Sequence, residues 1–259
     1  MPIIDNNILI APNIYRMSII AEDMAQNAKA GQFVHVKCSD YHDPLLRRPI
    51  SVSEVNLDKG EIYLIYQVRG RGTKWMSKQG KGAKIDIIGP LGNTFESLMP
   101  SPVNDIWLVG GGIGIFPLQL FAQQHTNKKN ITSILGFRDI EFKPLWQPFT
   151  EYSNELIIST EDGSFGNKGF VTESVLSMLK IRKPHIIITC GPIEMLKAIV
   201  NISKANEIPC LVSLEERMGC GIGACLVCSC KIKSDTDWHY RRVCADGPVF
   251  WGHEVIFNE

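Results

Sequence analysis

Four cysteines fall within Cys220 to Cys230 of RMGCGIGACLVCSCKI, and a fifth, Cys244, follows in RRVCADGP. Cys220, Cys225, Cys228 and Cys244 are spaced C-x4-C-x2-C-x15-C. This is the plant-type [2Fe–2S] order, in which a tight loop supplies three thiolates and a distant cysteine the fourth. Such a loop must turn backbone N–H groups toward anionic sulfur, and the interleaved Gly219, Gly221 and Gly223 permit the turns. Structural zinc usually takes two C-x2-C or C-x2-C/H-x3-5-H pairs, and one C-x2-C stands here. A Rieske centre needs paired histidines beside paired cysteines, which neither His239 nor His253 offers. Cys230 reads as a packed free thiol, since the ligand spacing is complete without it. Cys38 and Cys210 lie in strand patterns and read as core.

Two glycine loops offer a second chemistry. LVGGGIGIFPL, with Gly110, Gly111, Gly112 and Gly114, follows an apolar strand and precedes a helical stretch, which suits a pyrophosphate site at a helix N-terminus. The strict G-x-G-x-x-G is not met, because Ile115 holds the last glycine position, so a tight structural turn stays open as an alternative. TCGPIEM places Cys190, Gly191 and Pro192 at a later strand end, where Cys190 reads equally as a buried structural thiol. Both loops are expected at one crevice outside the carboxyl ends of parallel strands. Earlier, LLRRPIS sets two arginines beside a strand and VRGRGTKWMS offers glycines and Thr73. Arginine pairs with phosphate in bidentate fashion, but on their own these residues read slightly better as an exposed basic loop.

The elements that must hold these groups divide the chain. Residues 1–98 read as short strands, FVHVKC, PISVSEV, EIYLIYQV and KIDIIG, with KWMSK a short helix, which predicts an antiparallel barrel or sandwich. SLMPSPVND interrupts both periods and marks a boundary. Residues 99–214 alternate apolar strands with helices and predict a parallel sheet covered on both faces. Residues 215–259 form a glycine- and cysteine-rich third segment. The length suffices for one large domain or two ordinary ones, and 44% apolar and 21% charged residues are ordinary globular values. Basic and acidic residues balance at 27 each, which gives no basic excess for nucleic acid or an anionic membrane. No stretch reads as a signal peptide or spanning helix, so a cytoplasmic protein is expected, in which clustered cysteines serve metals rather than disulfides.

Taken together, these residues resemble the ferredoxin–NADP reductase family, a flavin-binding barrel followed by a nicotinamide-binding α/β domain. The family's R-x-Y-S flavin motif is similar to Arg48-Pro49-Ile50-Ser51, with Ile50 in place of tyrosine. Ile65, Tyr66 and Gln67, then Gly72 and Thr73, match its next FAD contacts. GGGIG and CGPIEM match its nicotinamide loops. Within that family the cysteine motif and CADGPVF resemble the electron-transfer subunits of NAD-dependent dihydroorotate dehydrogenases, over essentially the whole chain. That resemblance implies FAD, one [2Fe–2S] cluster and NAD+ as acceptor. It also implies a separate FMN-containing catalytic subunit, in a heterotetramer of two plus two, which oxidises dihydroorotate in pyrimidine biosynthesis. Electrons would run from that FMN through cluster and FAD to NAD+, with no protein nucleophile or general base. The rival readings are the alpha subunit of a ferredoxin:NADP oxidoreductase or sulfide dehydrogenase, whose tails often replace one cluster cysteine by aspartate, and a zinc-stabilised binding module. Phe137-Arg138-Asp139, at the expected ribose position, carries both an arginine and an acid and leaves NAD against NADP open.

Overall fold

The computed structural model describes residues 1–39, 41, 43–234 and 237–257. Six antiparallel strands come first: β1 (Ile3–Ala11), β2 (Ile14–Ile20), β3 (Phe33–Val36), β4 (Arg48–Asn56), β5 (Glu61–Gln67) and β6 (Ile87–Leu91). Their order is β1-β2-β5-β4-β3-β6. A bridge between Ile3 and Lys84, with the Ile4 N–H donating to the Ala83 carbonyl at 2.9 Å, brings the sheet round on itself. That contact covers part of the edge that an open sheet would expose. Three short helices accompany the barrel, α1 (Glu22–Asn27), α2 (Arg71–Met76) and α3 (Phe95–Leu98). The sequence predicts only the second of them, shifted to residues 74–78.

The β1–β2 hairpin uses the polar residues that interrupt the N-terminal apolar pattern. Register irregularities between Ile4 and Asn6 and between Leu9 and Ala11 absorb the breaks in alternation. Asn13 makes the turn at φ 58°, a conformation asparagine tolerates. The Asn7 amide donates to the carbonyls of Met76 and Gln79, which ties the end of α2 to the barrel.

The second unit holds β7 (Asp105–Gly111), β8 (Asn130–Phe137), β9 (Glu155–Thr160), β10 (Asn167–Lys168), β11 (Ile186–Cys190) and β12 (Cys210–Ser213). Its helices are α4 (Phe116–His125), α5 (Lys143–Trp146), α6 (Phe149–Tyr152), α7 (Val171–Leu179) and α8 (Ile193–Ala205). After β12 come β13 (Ser229–Lys233), β14 (Trp238–Arg242), β15 (Val249–Trp251) and β16 (Val255–Ile256). The sheet order is β10-β9-β8-β7-β11-β12-β15, parallel except for β15, and β14-β13-β16 form a separate small sheet. The cysteine-rich segment thus contributes a strand to the parallel sheet. Alternation distributes the apolar residues to two cores. Ile106, Leu108, Ile186 and Ile188 join the barrel's core cluster, while Trp107, Val109, Ile134 and Ile187 pack with Val175 and Ile199 of α7 and α8.

Helix α4 docks this sheet on the barrel through consecutive polar side chains. Gln123 accepts from the Val55 N–H at 3.0 Å and donates to the Val55 carbonyl at 2.9 Å. Gln124 accepts from the Ala30 N–H at 3.1 Å and donates to the Ala28 carbonyl at 2.9 Å. His125 Nε2 meets Glu96 Oε1 at 2.8 Å. Burial alone would raise the Glu96 pKa, but the His125 hydrogen bond and its own backbone outweigh it and hold the carboxyl below its ordinary value. Gln123→Leu strands both Val55 backbone groups and is expected to cost about 1–3 kcal/mol. A lowered denaturation midpoint checks this, and an unchanged midpoint refutes the assignment.

Candidate functional site

The cysteine loop leaves β12 next to the end of β11, where Cys190 pairs in register with Ser213. Its backbone wraps the first thiol: N–H groups of Ala224, Cys225 and Ile222 point at Cys220 Sγ at 3.2, 3.4 and 3.5 Å. The Gly223 N–H points at Cys244 Sγ at 3.2 Å, and the Cys244 N–H at Cys228 Sγ at 3.4 Å. Led by the Ile222 N–H, with those of Cys225 and Ala224, these donors lower the Cys220 pKa to about 6 and favour its thiolate. Cys244 is pushed up to about 12, first by burial and then by its bond to Cys228. A bound cation reverses that balance, since metal coordination deprotonates a thiol outright.

The four thiols stand as two pairs, Cys220 beside Cys225 and Cys228 beside Cys244. Two pairs of thiols can serve two irons, as a [2Fe–2S] cluster requires. With the inward N–H array, this donor set fits a [2Fe–2S] cluster. Cys230 is buried on β13, where burial pushes its thiol up to about 11. Sequence reasoning missed the clamp that holds the fourth ligand. Arg242 Nε and Nη2 grip the Asp246 carboxylate at 2.8 and 2.9 Å, while Nη1 donates to the Gly223 carbonyl at 3.1 Å. The arginine and acid of RRVCADG, spaced i,i+4, were the available signal.

The flavin-motif residues Arg48, Pro49, Ile50 and Ser51 are half-buried at the start of β4. The two neighbouring arginines separate in role. Arg47 is bidentate on Asp86, with both contacts at 2.9 Å, and so serves the barrel. Arg48 has no carboxylate partner among the described residues and donates only to the carbonyls of Leu46 and Arg47. Its guanidinium lies on Gly72, where an added Cβ would come within 2.8 Å of Nε. A guanidinium with no carboxylate partner among the described residues, beside the exposed turn at Gly70, could hold a pyrophosphate. Thr73 closes that turn, its hydroxyl accepting from the N–H groups of Arg69 and Gly70. Tyr66 points inward. It is buried, stacks on Tyr15 at 5.8 Å and donates to Asn7 Oδ1. Ile65 is likewise buried, and Gln67 accepts from Arg69 Nε.

The nicotinamide-side loops meet across the adjacent ends of β7 and β11. β7 lies at the switch between the β8–β9 and β11–β12 directions, where ligands of parallel sheets bind. Gly110 and Gly111 end β7, Gly112 to Ile115 form a 3-10 turn, and α4 follows over FPLQLFAQQH, the stretch the sequence reads as helical. A Cβ on Gly114 would lie 2.6 Å from Gly191 Cα, so the two loops touch backbone to backbone. Burial pushes the Cys190 thiol up to about 12 and keeps it neutral. Pro192 is exposed beside it.

The histidine of FVHVKC was not singled out by the sequence. His35 is fully buried between β4 and the cysteine loop, and burial lowers its pKa.

Residues 215–256 match the family model of the iron-sulfur cluster binding domain of dihydroorotate dehydrogenase B. The chain is 41% identical, over 96% of its length and 95% of the relative's, to the dihydroorotate dehydrogenase B (NAD(+)), electron transfer subunit of Desulforamulus reducens. Against the protein of the same description from Fusobacterium nucleatum it is 40% identical, over 97% and 96% of the two chains. Among solved structures, that of an NADH-dependent reduced ferredoxin–NADP oxidoreductase superposes with a TM-score of 0.85 at 30% identity, covering 99% of this chain and 90% of the other. The FAD/NAD binding domain of a Vibrio cholerae nitric oxide dioxygenase shares the fold at a TM-score of 0.63 and 16% identity, over 80% and 93% of the two chains.

Two expectations follow from the site. Serine at Cys220, Cys225, Cys228 or Cys244 should lower iron and acid-labile sulfide per chain, whereas Cys230→Ser should not; full iron content in Cys244→Ser refutes the ligand set. Arg48→Ala should weaken FAD binding by about 1.5–3 kcal/mol, the worth of a charged hydrogen bond. FAD that stays fully bound to that variant through dilution and gel filtration overturns the role.

Proposed function

This chain belongs to the family of electron transfer subunits of dihydroorotate dehydrogenase B (NAD(+)), and from that membership we propose that it carries electrons from dihydroorotate, oxidised in a partner catalytic subunit, to NAD+. FAD and one [2Fe–2S] cluster are its resident carriers. When bound, they link one-electron exchange to hydride transfer. The observation that carries this reading is the convergence of three sites. The four-thiol loop leaves the sheet beside the nicotinamide-side loops and packs through Gly221 on β3, the neighbour of the flavin strand β4.

The protein's own residues bind, orient and exclude water. Cys220, Cys225, Cys228 and Cys244 would hold the cluster, and the surrounding N–H groups would stabilise charge on its sulfurs. Arg48, with the turn at Gly72 and Thr73, would hold the FAD pyrophosphate, and Pro49, Ile50 and Ser51 would line the flavin. Gly110, Gly111, Gly112 and Gly114, with Cys190, Gly191 and Pro192, would admit NAD+ close to the flavin, as hydride transfer requires. A neutral Cys190 keeps negative charge away from that contact. Residues 1–98, 99–214 and 215–259 correspond in this reading to the FAD, NAD and cluster units.

The catalytic subunit would dock over the cysteine loop, where Ile222, Leu226 and Val227 are 62%, 63% and 58% exposed. An apolar patch around a redox centre suits a face covered by a partner. We further infer a two-plus-two assembly with the FMN subunit, acting in the cytoplasm; no helix among the described residues is long and apolar enough to cross a membrane. A second reading, exchange between reduced ferredoxin and NADP, draws on the oxidoreductase structure superposed above. The identity of the co-purifying partner separates the two.

The test is an assay of four mixtures: this chain, the partner, both, and both with Cys225→Ser. This chain alone should oxidise NADH with an artificial acceptor but leave dihydroorotate untouched. Both together should reduce NAD+ with dihydroorotate, and Cys225→Ser should abolish that rate. Orotate formed by this chain alone, or an undiminished rate with Cys225→Ser, refutes the proposal.

A further inference from the structure

His35 stands directly opposite Pro49 in the β3–β4 pairing, so its side chain shares a sheet face with the flavin motif's proline. Phe33, on that same face of β3, belongs to the core that contains Cys228, Val243 and Cys244. The opposing surface is the first turn of the cysteine loop. A Cβ on Gly221 would lie 2.5 Å from His35 Nδ1, and Gly221 itself adopts φ 75°. The ring is fully buried and the backbones of Cys220 and Arg47 lie within reach of it, yet among the described residues neither Nδ1 nor Nε2 meets a partner in full hydrogen-bonding geometry. A buried polar group left without a partner costs about 1–3 kcal/mol. An aliphatic side chain would fill the same space without that cost, so packing alone does not account for a histidine here.

We propose that His35 is a positioning residue that couples the cysteine loop to the flavin strand, its ring N–H fixing the backbone at Cys220 when iron gathers the thiolates. The orientation of the first cluster ligand, and hence the reduction potential of the cluster, then depends on this ring. Groups outside the ligand set orient metal ligands in this way, and hydrogen bonding around the sulfurs tunes iron–sulfur potentials. The assignment deepens the reading above and rests on the loop being a [2Fe–2S] site.

The test uses anaerobically loaded full-length chains: wild type, His35→Leu, His35→Asn and His35→Gln. Iron content, the EPR spectrum of the reduced cluster and its midpoint potential are measured for each. His35→Leu should keep its iron but change the ratio of reduced to oxidised cluster at fixed poise by about three- to tenfold, the worth of one hydrogen bond. His35→Asn, which returns an amide donor near Nδ1, should restore the wild-type potential and spectrum. An iron-loaded His35→Leu with the wild-type potential and spectrum overturns the assignment. If His35→Leu does not fold, the amides decide: Asn at the wild-type potential with Gln displaced supports the role, and any other pattern overturns it. A wild-type chain that takes up no iron overturns the cluster reading itself, and this assignment with it.

Discussion

The paired hydrogen bonds of Gln123 on Val55 fix the distance on which the remaining architecture depends. Helix α4 begins where the glycine turn ends, and its last turns grip the barrel. Strand β4 begins with Arg48 and runs to Asn56, past the residue that Gln123 holds. One helix and one strand, joined near their far ends, therefore set the separation between the nicotinamide loop and the flavin motif. Both backbone groups of Val55 would be stranded if the units parted, so a polar contact serves here as a geometric constraint rather than as a large source of stability.

The cysteine segment is fixed by a different device. Asn93, just past the barrel, donates to the carbonyls of Asp246 and Val249 and accepts from the Val249 N–H. β15 then pairs antiparallel with β12. The fourth thiol, Cys244, is thereby held by the barrel and the sheet at once, while Arg242 ties it back to the loop carrying the other three. Three units that the chain presents in succession are laced together by side chains from each.

The local chemistry was legible in the sequence because it depends on spacing. A C-x4-C-x2-C loop among glycines announces its ligands, and apolar runs between turn residues announce strands. The β1–β2 hairpin was obscured because Asn6 and Asn7 break alternation that bulges later repair. Arg47 and Arg48 look identical in LLRRPIS, and only the position of Asp86 in space assigns one to the barrel and frees the other. The hydrogen bond from the Tyr66 hydroxyl to Asn7 joins residues far apart in sequence, so no local pattern announces it. His35 carried no signal, since a histidine in an apolar strand reads as core until its neighbour proves to be the ligand loop.

Strand β15 occupies an edge that the α/β unit would otherwise expose. The edge of β12 would present a row of free N–H and C=O groups, a template for pairing with another chain. A truncation after residue 214, the obvious way to isolate a reductase fragment, removes the covering strand together with the cysteines. Such a fragment would keep its glycine loops and flavin strip and still associate edge to edge with its own copies. In this chain the redox appendage thus doubles as an edge cover, and shortened forms would need a substitute, a charged strand or a covering helix, before their chemistry could be read.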